Sequence, residues 1–522
     1  MKKKNLPIGI QTFKNIREGN YVYIDKTEQL YPLVENAFGS YFLSRPRRFG
    51  KSLLVSTMKE LFEGNRALFE GLWIEDKWDW SQKSPVIHIS FDAAGYRGMG
   101  LERAILSELN KIAAKNGLTL SEEDMQQKFK ELIQKLAEKD GKVVILIDEY
   151  DKPIIDFLEK NEMVLAKTNQ VILKSFYSAL KSSESSIRML FITGVSKFAK
   201  VSIFSDLNHL EDLTIDGNYG TLVGYTQAEL EFSFANHIQL VMDKLKISRE
   251  YLLENMREWY NGYSWDGETT VYNPFGILNF FSKKTFRNFW FATGSPTFLI
   301  KLMRERADFE FEDKQVSDIF LERYDLDNIE LVPLLFQTGY LTIKELNFMT
   351  GDMVLGYPNK EVKDSMYQFL IDDIASASYK RESSGITVQY LNKAFKINDL
   401  EKVKDIINTL FSDLPHNLHE MDKRKSERFF HGLIHLLFKY LGVFVESEVR
   451  TAKGRADSVV QTDTHVYIFE FKADKTAEEA LEQLLKNGYA NKYKLSGKTI
   501  LGIAVNFNSI EREIDGWIEK EL

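Results

Sequence analysis

Ser44-Arg45-Pro46-Arg47-Arg48-Phe49-Gly50-Lys51-Ser52 lies between an apolar segment, Ser40-Tyr41-Phe42-Leu43, and a helix-patterned run beginning at Leu53. Its closing Gly-Lys-Ser has the chemistry of a phosphate-binding loop. There, backbone N–H groups curl around phosphate oxygens at a helix N-terminus, where the helix dipole favours negative charge. Lys51 would reach the β and γ phosphates, and the Ser52 hydroxyl would ligate Mg²⁺. The general pattern opens with glycine, whereas this chain has Arg45 followed by the stiff Pro46. Residue usage alone places a Gly-Lys-Ser or Gly-Lys-Thr triplet in roughly one chain in four of this length, so the neighbouring elements decide. Arg45, Arg47 and Arg48 admit two roles, phosphate contact or surface charge.

Working outward, strand-like and helix-like runs alternate, which points to βαβ units and a mainly parallel sheet. Strands are expected at Ser40–Leu43, Val86–Phe91, Lys142–Ile147 and Ile187–Thr193, with a weaker one at Leu210–Ile215. Helices are expected at Lys51–Phe62, Leu101–Asn116, Glu122–Lys139 and Met163–Ser182. Val143-Val144-Ile145-Leu146-Ile147 is apolar on both faces, as a central parallel strand must be when helices cover both sides. It ends in Asp148-Glu149-Tyr150-Asp151. Acidic residues at the carboxyl end of such a strand share a rim with the phosphate loop. Asp148 can hold the Mg²⁺ shell while Glu149 polarises a water toward the γ phosphate; alternatively Asp148 caps the next segment. Thr193, ending the following strand, is the expected γ-phosphate sensor. The order of loop, Asp-Glu and Thr matches P-loop ATPases that carry a catalytic Glu.

Composition sets the outer bounds. A chain of 522 residues is too long for one core. No run reaches the roughly 18 uninterrupted apolar residues that span a bilayer, and Met1-Lys2-Lys3-Lys4 is followed by no apolar stretch, so the expectation is a cytoplasmic protein without membrane contact. The absence of cysteine excludes disulfides, thiolate zinc sites and cysteine nucleophiles. A net charge of -8 argues against a nonspecific coat on nucleic acid but permits a local basic groove.

Longer stretches resemble the bacterial AAA-ATPase-like proteins: Tyr41 through Leu54, Ile147-Asp148-Glu149-Tyr150-Asp151-Lys152-Pro153, and Phe191-Ile192-Thr193-Gly194-Val195-Ser196-Lys197-Phe198. Tyr23-Ile24-Asp25-Lys26-Thr27, Phe204-Ser205-Asp206-Leu207-Asn208-His209-Leu210 and Gly224-Tyr225-Thr226 extend the match. In that family Arg-Pro-Arg-Arg is the usual form of the loop. The resemblance implies a P-loop core over residues 1–224 that binds ATP and Mg²⁺. Arg48, Phe49, Gly50, Lys51, Ser52, Leu53, Asp148 and Thr193 would be the nucleotide residues and Glu149 the catalytic one, with Ser52 and Asp148 at the metal.

Residues 225–310 are helical and aromatic-rich and look like the lid that follows such a core. Over 311–370, a helix ending at Gly339 precedes two strand-like runs, Tyr340–Ile343 and Met353–Tyr357, which flank the turn Thr350-Gly351-Asp352. This suggests a winged helix that binds DNA or relays nucleotide state. A helical spacer, 371–409, leads to a last unit, 410–522.

In that unit a helix-like run, Arg424–Tyr440, carries Glu427. Gly454-Arg455-Ala456-Asp457 leads into one strand, and Val466-Tyr467-Ile468-Phe469-Glu470-Phe471-Lys472 forms the next. Strand alternation places Glu470 and Lys472 on one face and Phe469 and Phe471 on the other. Asp457 and Glu470 can share a Mg²⁺ that activates water, and Lys472 can orient or deprotonate that water. The plainer alternative is an ion pair on an edge strand. The segment resembles the PD-(D/E)XK nuclease superfamily, which implies a restriction-endonuclease-like α/β fold. Asp457, Glu470 and Lys472 match its catalytic set, Glu427 the helical Glu that completes the metal site, and Gln483 and Tyr489 a Gln and an aromatic after the core strands. His431 and His435 lack a third zinc ligand and read as helix packing.

The expected whole is an α/β protein in which a P-loop ATPase gates a Mg²⁺-dependent nuclease acting on DNA, with oligomerisation left open. A nucleotide-gated switch with an inert nuclease-like tail is the competing expectation.

Overall fold

The structure is a computed structural model. It describes the chain except residues 1–3, 37, 93–94, 160, 198–202, 205–206, 208, 292–296, 307, 310, 322–325, 327–328, 376–383, 413–435, 439–443, 448–449, 452–453, 456–457 and 512. The chain divides into two units: Met1–Ser295 with Phe311–Val362, and Pro296–Glu310 with Lys363–Leu522.

The first unit is built on a five-stranded parallel sheet of β1 (Gly39–Ser44), β2 (Val86–Ser90), β3 (Val143–Asp148), β4 (Ile187–Gly194) and β5 (Glu211–Asp212), in the order β2-β3-β4-β1-β5. Every residue of β3 is buried, which explains its unbroken apolar run. Helices Lys51–Phe62, Leu101–Lys115, Met125–Asp140 and Met163–Ser182 make the crossovers. The register pairs Leu43 with Thr193 and Ser90 with Asp148, so the carboxyl ends of β1 to β4 form one rim. The expected fifth strand is only two residues long. It stops where Thr214 Oγ1 takes the Ser44 N–H at 3.2 Å, in place of a ladder partner.

Downstream, helices Gln227–Ser233, Ala235–Leu245, Arg249–Tyr260 and Pro274–Lys283 pack around a shared core with Val22 and Ile24. The Tyr23–Thr27 motif closes on the Gly224–Thr226 motif here. Lys26 Nζ lies 2.7 Å from both carboxylate oxygens of Glu229, the residue that completes the capping box of Thr226. A three-stranded antiparallel sheet, β6 (Lys314–Ser317), β7 (Thr342–Leu346) and β8 (Asp352–Gly356), has the order β6-β8-β7; β6 precedes the helix Leu331–Thr338, and the hairpin of β7 and β8 follows it.

In the second unit β9 (Phe444–Ser447), a short hairpin of β10 (Arg450–Thr451) and β11 (Gly454–Arg455), β12 (Ser458–Gln461), β13 (His465–Ala473), β14 (Thr499–Asn508) and β15 (Glu513–Glu521) follow in order. The main sheet runs β15-β14-β13-β12-β9, antiparallel except for the β13–β14 pair, whose crossover is the helix Ala477–Asn487. Of the expected helix Arg424–Tyr440, only Leu436–Phe438 are described, and they are helical. Among the described residues no helix is long and apolar enough to cross a membrane.

Candidate functional sites

The phosphate loop leaves β1 and enters the helix Lys51–Phe62 through two left-handed backbone positions, Arg48 (φ 66°) and Gly50 (φ 95°). Glycine adopts this conformation freely; arginine does so only when its surroundings hold it there. Gly50 caps the helix, so the amides that follow open toward the loop's concave side.

Arg45 is neither a phosphate contact nor a surface charge. It is fully buried. Nη1 donates at 2.9 Å to the carbonyls of Ser44 and Thr214, and Nη2 donates at 3.1 Å to that of Tyr219. The guanidinium also stacks 4.0 Å from the Trp265 ring. Burial lowers it to about 9, and Asp212 and Asp266 oppose that shift. The residue in the usual glycine position therefore bolts the loop to segments roughly 170 to 220 positions downstream. Arg45→Met should cost about 3–5 kcal/mol in urea unfolding, because it strands buried carbonyls. Unchanged stability together with weakened nucleotide binding would return Arg45 to the phosphate role. Phe49 is also buried, edge-on to Tyr263 (4.7 Å) and Trp265 (5.6 Å).

A cavity of about 390 Å³ opens at the rim, and Arg47 to Leu53, Asp92, Glu149, Asp151 and Lys152 are among the residues that line it. Lys51 is buried, and its Nζ lies 2.9 Å from the carbonyls of Arg45 and Pro46. Burial lowers its pKa, while Asp148, Glu149 and Asp151 raise it. Asp148 is raised by burial against the Ser52 hydroxyl and the Lys51 ammonium, and its Oδ1 is buried without a hydrogen-bond partner. An orphaned carboxylate oxygen beside a serine hydroxyl is a donor set that suits a hard divalent cation, which prefers oxygen ligands. Glu149 takes a left-handed backbone (φ 55°) and is half-buried, with Oε2 3.5 Å from Lys152 Nζ; Lys152 in turn lies 2.6 Å from Asp92 Oδ1.

Thr193 is not among the residues that line the cavity. Its hydroxyl donates at 2.8 Å to the Leu43 carbonyl, and its own carbonyl accepts from the Tyr150 N–H at 3.1 Å, so it ties the rim together. The group that reaches across the rim is Asp151. Its Oδ2 accepts from the Ser196 N–H (2.6 Å), the Ser196 hydroxyl (2.7 Å) and the Val195 N–H (3.1 Å). A Cβ at position 194 would sit 2.5 Å from its Oδ1, which accounts for Gly194. The third acid of Asp148-Glu149-Tyr150-Asp151 was the available signal. The Arg188 guanidinium lies 5.0 Å from the Phe62 ring and 5.5 Å from the Trp78 ring.

At the second centre, Glu470 and Lys472 share one face of β13, with Oε1 to Nζ at 3.5 Å. Phe469 and Phe471 stack 5.5 Å apart on the other face. The strand is central and Glu470 is fully buried, so this is no edge-strand ion pair. Ser458 pairs with Phe469; Asp457 and Glu427, like His431 and His435, lie outside the described residues. Among the described residues no group of three or more His, Asp or Glu is arranged to hold a metal. Tyr489 is buried in the core with Val459, Ile468 and Leu484, whereas Gln483 is exposed on its helix.

The family described as "Predicted AAA-ATPase" matches residues 7–204, and the family described as "PD-(D/E)XK nuclease superfamily" matches residues 425–517. An uncharacterized protein in the vnfD 5′ region of Azotobacter chroococcum mcd 1 is 38% identical over 534 residues, covering all of both chains. The structure of the Aeropyrum pernix ORC1 protein in complex with DNA aligns with 68% of this chain and 95% of its own, at 10% identity and a TM-score of 0.27, a likeness too weak to support any inference about function. With the full length shared, this chain belongs to the family of the Azotobacter protein, and it joins an AAA-ATPase-like domain to a PD-(D/E)XK nuclease superfamily domain.

Proposed function

We propose that the chain binds and hydrolyses ATP in its first unit, and that this controls a Mg²⁺-dependent nuclease acting on DNA in its second. The observation that carries the first half is the convergence of Lys51, Ser52 and Glu149 on one cavity whose lining also includes the apolar side chains Ile10, Val22, Ile24, Leu222, Val223 and Leu278. The loop residues would take the phosphates and the apolar lining a nucleoside base. Mg²⁺ held by Ser52 and Asp148 would neutralise phosphate charge. Glu149 accepts the proton of the attacking water, and Lys51 stabilises the charge developing on the transferred phosphate.

The nuclease half rests on the buried Glu470–Lys472 pair. A pair taken out of water is costly to keep, which favours a chemical role over a decorative one. Asp457 and Glu427 would complete its metal site. The winged helix favours a relay over DNA reading. The helix Leu331–Thr338 has no charged residue and is mostly buried, so it offers no cation to a phosphate backbone.

Assays on single-stranded, double-stranded and branched DNA and on RNA, each with and without ATP, test the proposal. Mg²⁺-dependent DNA cleavage altered by ATP is the expected result, and a chain that cuts nothing and turns over no ATP overturns it. The restraint of Glu149 by Lys152 favours a second reading, a nucleotide-gated switch that hydrolyses slowly. Tight ATP binding with negligible turnover and no cleavage would select it.

A further inference from the structure

We infer that Trp290 and Glu361 are positioning residues of the phosphate-binding loop, holding the Arg47 peptide so that the Arg48 N–H faces the nucleotide; this rests on the nucleotide-binding reading above. The Trp290 indole N–H donates at 2.9 Å to the Arg47 carbonyl, and Trp290 is not among the residues that line the cavity. In a trans peptide the carbonyl and the following N–H point in opposite directions. Pinning the Arg47 oxygen outward therefore aims the Arg48 N–H at the cavity that both arginines line. This is also the residue with the unfavourable left-handed backbone, which needs an external anchor.

Trp290 is itself fixed. Its ring packs against Tyr340 at 5.4 Å and Tyr263 at 6.2 Å, and its backbone N–H donates at 2.5 Å to Glu361 Oε1. The same carboxyl takes the N–H groups of Phe289 and Phe291, and burial still raises it to about 8. Glu361 is 1% exposed and stands in the first turn of the helix Lys360–Ala375, which from Lys363 onward belongs to the second unit. The loop, the tryptophan and the start of that helix thus form one hydrogen-bonded series. Because coupling is reciprocal, nucleotide that orders the loop must also order residues 289–291.

The test measures Mg²⁺-ATPγS affinity by calorimetry on the full chain, with melting temperature as a control. Trp290→Phe keeps the ring and removes the donor, and should weaken binding about tenfold, the scale of one lost hydrogen bond. Glu361→Leu should do the same, while Glu361→Gln, isosteric with the protonated acid, should bind like wild type. In wild type the nucleotide should slow amide exchange across residues 289–291. If Glu361→Leu does not fold, Trp290→Phe and the exchange measurement decide. Wild-type chain that binds nucleotide, with Trp290→Phe binding equally well and no protection of 289–291, overturns this inference alone. Wild-type chain that binds no nucleotide overturns the nucleotide reading and this inference together.

Discussion

Lys51→Ala is expected to abolish ATP turnover, and Glu149→Gln to retain binding while losing hydrolysis. Lys51 is a buried cation among the residues that line the cavity, within the field of Asp148, Glu149 and Asp151. Removing it takes away the buried cation that offsets Asp148, Glu149 and Asp151, so an incoming polyphosphate meets more uncompensated negative charge. Loss of one preorganised charge stabiliser costs about 10²–10³ in rate, and here ground-state affinity falls as well. Glu149→Gln removes only the proton acceptor, a loss of about 10²–10⁴ in kcat with Kd little changed. Phosphate release at saturating Mg²⁺-ATP, paired with calorimetric binding, checks both. An alanine variant that turns over ATP like wild type would show that the loop is not the nucleotide site.

Glu470→Gln is the second large effect. The expected outcome is loss of Mg²⁺-dependent cleavage by about 10²–10⁴, with ATP turnover in the first unit intact. Lys472→Ala is a poorer probe, since breaking one side of a buried pair costs about 3–5 kcal/mol and can unfold the unit. Glu470 is fully buried and Lys472 has a side chain only 11% exposed. The isosteric amide keeps an acceptor 3.5 Å from the ammonium and removes the charge that a metal requires. The double variant Glu470→Gln with Lys472→Gln then removes the leftover charge, and its melting temperature separates lost chemistry from lost structure. Cleavage at the wild-type rate in Glu470→Gln would place any nuclease activity elsewhere and strengthen the switch reading.

Much of this was legible along the chain because it depends on short-range chemistry. A short β-branched apolar run ending in Asp148-Glu149 reads as a central strand with acids at its carboxyl end, and β3 is buried throughout. A Gly-Lys-Ser before a helix-patterned run places the phosphate loop at a helix start. The i, i+2 spacing of Glu470 and Lys472 puts both on one strand face, and the observed 3.5 Å contact agrees. These features follow from backbone period and turn stereochemistry.

Other roles were settled by partners that no local pattern encodes. Arg45 admits phosphate contact or surface charge by its type, yet its contacts are Thr214, Tyr219 and Trp265. Thr193 has the right type and place for a sensor, but its hydroxyl found the Leu43 carbonyl 150 residues away in sequence. Asp151 went unassigned because its partners, Val195 and Ser196, meet it only once β4 lies beside β3. Whether the Glu470–Lys472 pair stood on an edge or at the centre depended on sheet order, a long-range property of the chain. Local sequence dictates which face a side chain takes, whereas burial and hydrogen-bond choice depend on groups that topology brings close, so residue types were readable before folding and their duties only after it.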